Sequence, residues 1–366
     1  MKISKRVRNL YYKLFEAPAI KAENIGLIFL KRKQLRKLVK GMPRLTSKQK
    51  KAVRAYWKPY CKVKMNWFRY FTFMTGKFDP RYIPEDIMQT KIDQHFNSRK
   101  LSYGFNDKNN YSLIFSKFKQ PKTLVRKIDS LLFDENYELL TSKKAMDIIS
   151  KNDEVIVKPS QDTGGGKNIK FYNTKTDKKV LDSLLNGKEQ NFVVQQIIKQ
   201  HPEMGKMHPE SLNTVRVSTI MLEDGVHVLS AVMRMGAGTS RVDNVSAKSS
   251  ILAPINEDGT IISNAISSSD YHSGNRLKVH PDGMPLSQIK IPNFECMLET
   301  AKKVSMYIGH FRFVGVDLCV DEDENIVLIE VNMRKIDTIY TQALMGPFFG
   351  DLTEKVLDEV FRKETK

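Results

Sequence analysis

Three cysteines in 366 residues, Cys61, Cys296 and Cys319, are too few and too scattered to frame a disulfide scaffold or a cysteine-rich metal site. That usage fits a reducing compartment, so a cytoplasmic protein is expected. Long apolar runs are lacking as well. The best candidate, IGLIFL at 25–30, falls far short of the roughly eighteen residues that span a bilayer. No long apolar stretch or small-residue cleavage site follows the basic start MKISKRVRNLYYKLF, so no signal peptide is expected. The sequence contains neither GxxxxGK[ST] nor GxGxxG, which removes two common glycine-loop nucleotide motifs. Repeats and low-complexity tracts are missing too.

Acidic residues are nearly absent from residues 1–75, where Glu16 and Glu23 stand against 21 Lys and Arg. The charge of that segment, +19, equals the charge of the whole chain. The rest is balanced. Such a segment is drawn to anionic surfaces, either lipid or acidic glycan, or else it is a solvated helical face. Nucleic acid is disfavoured, because no nucleic-acid module accompanies the charge. Within NIGLIFLKRKQLRKLVKGM the apolar Ile28, Leu30, Leu35 and Leu38 fall roughly on one helical side, and Gly41 and Pro43 stop the helix. WKPYCKVKMNWFRYF carries both tryptophans and suits either a membrane interface or helix packing.

Four segments are expected: a basic helical region at 1–75, a connector at 76–125, a subdomain with a glycine loop at 126–200, and a C-terminal subdomain at 201–366. NDKNNYSLIFSKF predicts a helix capped by Asn106 or Asp107. EVIVKPS and NIKFYN predict strands flanking a glycine turn. NTVRVSTIML and VHVLSAVMRMG, joined by EDG, predict a hairpin. Strands next to strands, interrupted by helices, indicate α+β layering.

The chemistry concentrates in VGVDLCVDEDENIVLIEVN. Alternation puts Glu330 and Asn332 on one strand face, and a hairpin would bring Asp317 beside them. Carboxylate and amide oxygens suit a hard cation such as magnesium. A wet sheet face is the other reading. In VKPSQDTGGGKNI, Gly164, Gly165 and Gly166 let backbone amides approach an anion, and Lys158 adds a charge. An ordinary hairpin is the alternative. In FVVQQIIKQ, the segment Gln195, Gln196, Ile197 and Ile198 forms either a hinge that reads a flat ring or simply a strand leaving the core. His201, His208 and His280 are expected at the surface, without a partner for base work.

The order of these pieces resembles the ATP-grasp fold, in which two α+β subdomains clasp a nucleotide. The motifs HPESLNTVRVSTIM, VMRMGAG with VDN, and GVDL…IEVN resemble the sugar-transfer associated ATP-grasp group, related to teichuronopeptide-type proteins, over about residues 100–350. Two positions depart from that pattern: Gln occupies the hinge where Glu is commoner, and VSAKSSI follows VDN where a glycine pair is expected. The resemblance implies ATP and two magnesium ions as cofactors, with Asp317, Glu330 and Asn332 holding metal. It implies Lys108, Lys158 and Ser160, Gly164 to Gly166, and Gln195 to Ile198 around the nucleotide. Arg216, Arg234 and Arg334 become candidates for the γ-phosphate or a substrate carboxylate. The implied activity is carboxylate–amine ligation through an acylphosphate, in cell-surface polysaccharide or capsule synthesis. A uronic acid would be the acceptor and an amino acid or other amine the nucleophile. A sugar kinase and a nucleotide-binding scaffold are the alternatives. The expected place is the cytoplasm, peripherally at the inner membrane face, with acidic polysaccharide or anionic lipid held by residues 1–75.

Overall fold

The computed structural model describes residues 17–161, 168–187, 191–238, 241, 250–270, 272–334, 336 and 338–361. The chain forms two compact units, Met1–Phe96 with Asp337–Lys366, and Asn97–Ile336.

The first unit is helical. Its main elements are the helices Ala17–Leu38, Ser47–Trp57, Met65–Thr75, Thr338–Met345 and Thr353–Phe361. Thr46 and Gln49 form a reciprocal cap: the Gln49 N–H donates to Thr46 Oγ1 at 3.2 Å, and the Thr46 N–H to Gln49 Oε1 at 2.8 Å. Gly76, at φ 69°, takes the left-handed turn that ends the third helix. Both tryptophans are buried, together with Phe68, Tyr70, Phe71 and Tyr82. Trp67 stacks on Phe71, and Phe71 on Tyr82 with centroids 5.1 Å apart. Trp57 of the second helix meets Phe68 of the third edge to face, with centroids 6.3 Å apart, so the aromatics between 57 and 71 pack helix on helix and form a core. The buried Gln342 amide takes the Ile83 N–H at 2.8 Å and donates to the Ile83 carbonyl at 3.0 Å.

Glu85 is also buried here, 3.4 Å from Lys31 Nζ, and accepts from Thr338 Oγ1 at 2.7 Å and from Gln89 Nε2 at 2.6 Å. Burial pushes its carboxyl above the ordinary range, and Lys31 opposes this. The folded state thus holds this proton more tightly than the unfolded chain does. Stability contributed by Glu85 is lost as pH rises through the folded value. Glu85→Gln keeps the shape without the charge. It is expected to raise the melting temperature by a few degrees at pH 8, and by less at pH 5. A lowered value at pH 8 would show that Lys31, Thr338 and Gln89 outweigh burial.

The second unit contains two six-stranded antiparallel sheets. The first has the order β3-β2-β1-β6-β4-β5, built from β1 Thr123–Ile128, β2 Leu131–Phe133, β3 Leu139–Leu140, β4 Glu154–Pro159, β5 Lys170–Asn173 and β6 Phe192–Gln196. The second has the order β10-β9-β8-β7-β11-β12, from β7 Thr214–Leu222, β8 Gly225–Gly236, β9 Ser250–Pro254, β10 Ile266–Ser267, β11 Phe313–Val320 and β12 Ile326–Asn332. This is the expected α+β layering. Alternation sorts each strand. Val155 and Val157 join the core beneath the helices Ser142–Ile149 and Lys178–Asn186. Val215, Val217, Met233, Val316 and Leu318 join a second core with Met297 and Val304 of the helix Phe294–Tyr307. The intervening residues are left for the opposite faces.

Two expectations change. The helix expected over 106–118 is only a 3-10 turn, Lys108–Asn110, followed by one turn of helix, Tyr111–Ile114. The Asp107 carboxylate caps the turn by accepting from the Asn109 N–H at 2.9 Å. His208 and His280 are buried, not at the surface. Asp282 explains this: its carboxylate meets His208 Nδ1 at 2.7 Å, while His280 Nε2 donates to the Gly236 carbonyl at 2.9 Å. His201 is half-buried, and its Nδ1 accepts from the Glu203 N–H at 3.1 Å to cap a short helix.

Candidate functional site

Within the second unit the two sheets line a cleft of about 500 Å³, a size suited to one small ligand. Its chemistry comes from four neighbouring strands. Asp317 on β11 lies directly opposite Glu330 on β12 and Arg216 on β7. Gly315 opposes Asn332, and Arg234 on β8 opposes Thr214. Period-two alternation therefore puts Arg216, Arg234, Asp317, Glu330 and Asn332 on one face.

Asp317 is buried, and its charge is met on several sides. Arg216 grips it in a fork: Nε donates to Oδ1, and Nη2 to Oδ2 at 2.7 Å. Arg234 Nη1 lies 3.6 Å from Oδ2, and Asn332 Nδ2 donates to the same oxygen at 3.3 Å. A buried carboxylate without such partners would be costly. Glu330 is more exposed and meets Lys108 Nζ at 3.2 Å. Lys108 is brought there by its own backbone, since its N–H donates to the Ser160 carbonyl at 2.9 Å.

Two local features make this wall possible. A β-bulge interrupts the β11–β12 pairing, so that Asp317 opposes Glu330 and Leu318 opposes Leu328. Ile329 is the extra residue, and both Ile329 and Glu330 line the cleft. The second feature is Gly315, in the middle of a fully buried strand. A Cβ there would sit 2.8 Å from Arg216 Cδ. The glycine leaves the space through which Arg216 crosses β11 to reach Asp317.

The first sheet supplies the opposite wall. Ile156 and Lys158 line the cleft from β4, as do Ile169, Phe171 and the segment Gln196 to Ile198. Aliphatic and aromatic side chains there form a slot for a flat ring. Gln195 and Gln196 point to opposite faces, as a strand requires. The Gln195 amide donates to Thr123 Oγ1 at 3.2 Å, and Gln196 donates to Asn152 at 2.8 Å. Arg241 closes one side. It forms a forked ion pair with Glu154, with Nη2 2.8 Å from Oε2, and lies 3.9 Å from the Phe171 ring centre. The Arg241 hydrogen bonds hold the Glu154 carboxyl below its usual range.

The remaining candidates fall elsewhere. Ser160 is fully buried, and its Oγ has no hydrogen-bond partner among the described residues. Arg334 is absent from the cleft lining, and its guanidinium lies 5.1 Å from the Tyr103 ring centre. Gly164, Gly165 and Gly166 lie outside the described residues. The sequence reading missed Ile156, Phe171, Ile329, Arg241 and Gly315. Alternation with Lys158 would have found Ile156, but nothing in the sequence signals the others.

Lys108, Lys158, Lys199, Arg234 and Arg241 outnumber Glu210, Asp317 and Glu330 around the cleft, which favours a polyanion; Arg216 and Asn332 are not in the lining and reach it through Asp317. Among the described residues no three His, Cys, Asp or Glu side chains gather as a metal site. The donor set is two carboxylates and an amide, all hard oxygen ligands in register, and it fits a cation that also takes ligands from a bound polyanion.

Across the cleft, a wall of oxygen donors and basic side chains faces an apolar slot. The chain belongs to the sugar-transfer associated ATP-grasp family, whose model matches residues 87–347. Among solved structures, VanG D-Ala:D-Ser ligase from Enterococcus faecalis is similar at 15% identity and a TM-score of 0.41, over 70% of this chain and 60% of that one. D-alanyl-alanine synthetase A from Vibrio cholerae is similar at 13% and 0.42, over 70% and 64%. An L-amino acid ligase from Bacillus licheniformis is similar at 14% and 0.40, over 70% and 47%. The chain thus spans less than two thirds of each of these proteins. No curated protein matches the sequence.

Proposed function

We propose that the unit Asn97–Ile336 joins a carboxylate to an amine at the expense of ATP, with a sugar or uronic-acid carboxylate as acceptor. The observation that carries this reading is the convergence of Lys108, Arg216, Arg234, Asp317, Glu330 and Asn332 on one wall. The family's association with sugar transfer supports the acceptor class.

In this reading a carboxylate oxygen of the acceptor attacks the γ-phosphorus, and the bond to the leaving ADP breaks. The amine nitrogen then attacks the acyl carbon, phosphate leaves, and the nitrogen gives up one proton. Asp317, Glu330 and Asn332 would hold magnesium, which when bound neutralises phosphate charge. The protein's own cations carry the remaining load. Lys108 and Lys158 bind phosphate oxygens as point charges. Arg234 presents fixed donors toward charge that spreads over the moving phosphoryl group, without reorganising during the step, and Arg216 holds the Asp317 carboxylate in position. Ile156, Phe171 and Ile329 hold the base and keep water from that side. Arg334 and Ser160 have no part in this scheme.

The test is a screen of uronic acids against amines, following ADP release and the product mass. ADP release that requires both substrates, with a product heavier by the amine less water, is the expected result. A stable phosphorylated sugar formed without amine would identify a kinase instead. ATP binding without any turnover would identify a scaffold.

A further inference from the structure

We propose that the outward face of the helix Ala17–Leu38 docks on an anionic lipid bilayer. This does not rest on the ligation reading, which uses residues of the other unit.

The helix divides its residues sharply. Leu35 is buried, and Lys31 and Arg32 turn inward to pair with the buried Glu85 and Asp86 at 3.4 and 3.3 Å. Residues 25, 29, 33 and 36 follow one another at helical spacing along the other side. Ile25 and Phe29 are each 59% exposed, and Leu30 beside them is 61% exposed. The same side continues into Lys33, Arg36 and Lys37, all exposed and without an ion pair among the described residues. One face therefore runs from apolar to basic along its length, and the helix holds a single acid, Glu23.

Charge and apolarity together select the occupant. An acidic polymer in water would satisfy Lys33, Arg36 and Lys37 and leave Ile25, Phe29 and Leu30 wet. An anionic bilayer meets both halves, with phosphate at the basic end and the acyl boundary at the apolar end. No described helix is long and apolar enough to cross a membrane, so the helix would lie in the interface.

Truncation cannot test this, because the segment up to 75 supplies Trp57, Trp67 and Phe71 to the core of its unit. Substitutions confined to the outer face can. The full chain would be sedimented with vesicles of phosphatidylcholine alone or with phosphatidylserine added. The parent is expected to prefer the anionic vesicles and to release with salt. Phe29→Gln with Leu30→Gln should weaken that binding about tenfold or more. Lys33→Gln, Arg36→Gln and Lys37→Gln should cost about fivefold each. Unchanged circular dichroism would confirm that each variant folds. Several results would overturn the proposal. Vesicle binding unaffected by the apolar pair is one. Equal binding to a polyuronate, also unaffected by that pair, would point to an acidic polymer. A self-association abolished by the pair, without vesicle binding, would assign the face to a second copy. A parent that ignores vesicles and stays monomeric would leave the face in water.

Discussion

Glu330→Gln is expected to lower ATP turnover by about 100-fold or more while leaving the fold intact, and Asp317→Asn to lower it by about 1,000-fold or more with a loss of stability. The difference follows from surroundings. Glu330 is partly exposed, and its one described ion pair is with Lys108 at 3.2 Å. Removing its charge takes a carboxylate from Lys108, whose side chain is 12% exposed but lines the cleft where solvent reaches it, so the melting temperature should move by no more than about 2 °C. Asp317 is enclosed by Arg216, Arg234 and Asn332. An amide there leaves the buried Arg216 guanidinium without its carboxylate, which costs about 3–5 kcal/mol.

The pair of variants separates chemistry from folding. Loss of activity in Asp317→Asn alone would not distinguish a missing cation ligand from a damaged sheet. Loss in Glu330→Gln at an unchanged melting temperature does. Turnover within tenfold of the parent in the folded Glu330→Gln protein would remove the cation role from this pair. Calorimetric titration with MgATP is the companion measurement, and the Gln variant should bind nucleotide more weakly when magnesium is present.

How far the sequence carried depends on the range of the forces involved. Period-two alternation is local, so the placement of Glu330 with Asn332, and of Arg216 on the open face of β7, was readable in advance. The hairpin of β7 and β8 was readable from its turn. Long-range consequences were not. Nothing near Ile329 announces a bulge, because the bulge is a matter of register with β11. Nothing near His208 announces burial, because its partner Asp282 is far along the chain. Arg334 follows Asn332 closely in sequence, but the strand ends at Asn332 and the side chain departs toward Tyr103. The helices Thr338–Met345 and Thr353–Phe361 group with the N-terminal helices through contacts such as Gln342 with Ile83, a pairing no local pattern encodes.

Gly315→Ala should cost about 1–3 kcal/mol in stability and most of the ATP turnover, although it adds only a methyl group. The residue lies in an ordinary extended strand, so backbone strain is not the reason. The reason is space. The added Cβ would sit 2.8 Å from Arg216 Cδ and 3.5 Å from both Arg216 Nε and Ile336 Cγ2. A long side chain usually yields to such a contact, but the fork on Asp317 anchors this guanidinium beyond Cδ. Relief therefore means loosening the Arg216–Asp317 pair or bending β11. A double-mutant cycle with Arg216→Ala tests the claim, because removing the arginine removes the clash. Gly315→Ala should then be nearly neutral in the Arg216→Ala background, with a coupling of about 1 kcal/mol or more, and the double variant should be no less active than Arg216→Ala alone. Fully additive effects on stability and turnover would show that the strand requires glycine for another reason, and would separate Gly315 from the positioning of Arg216.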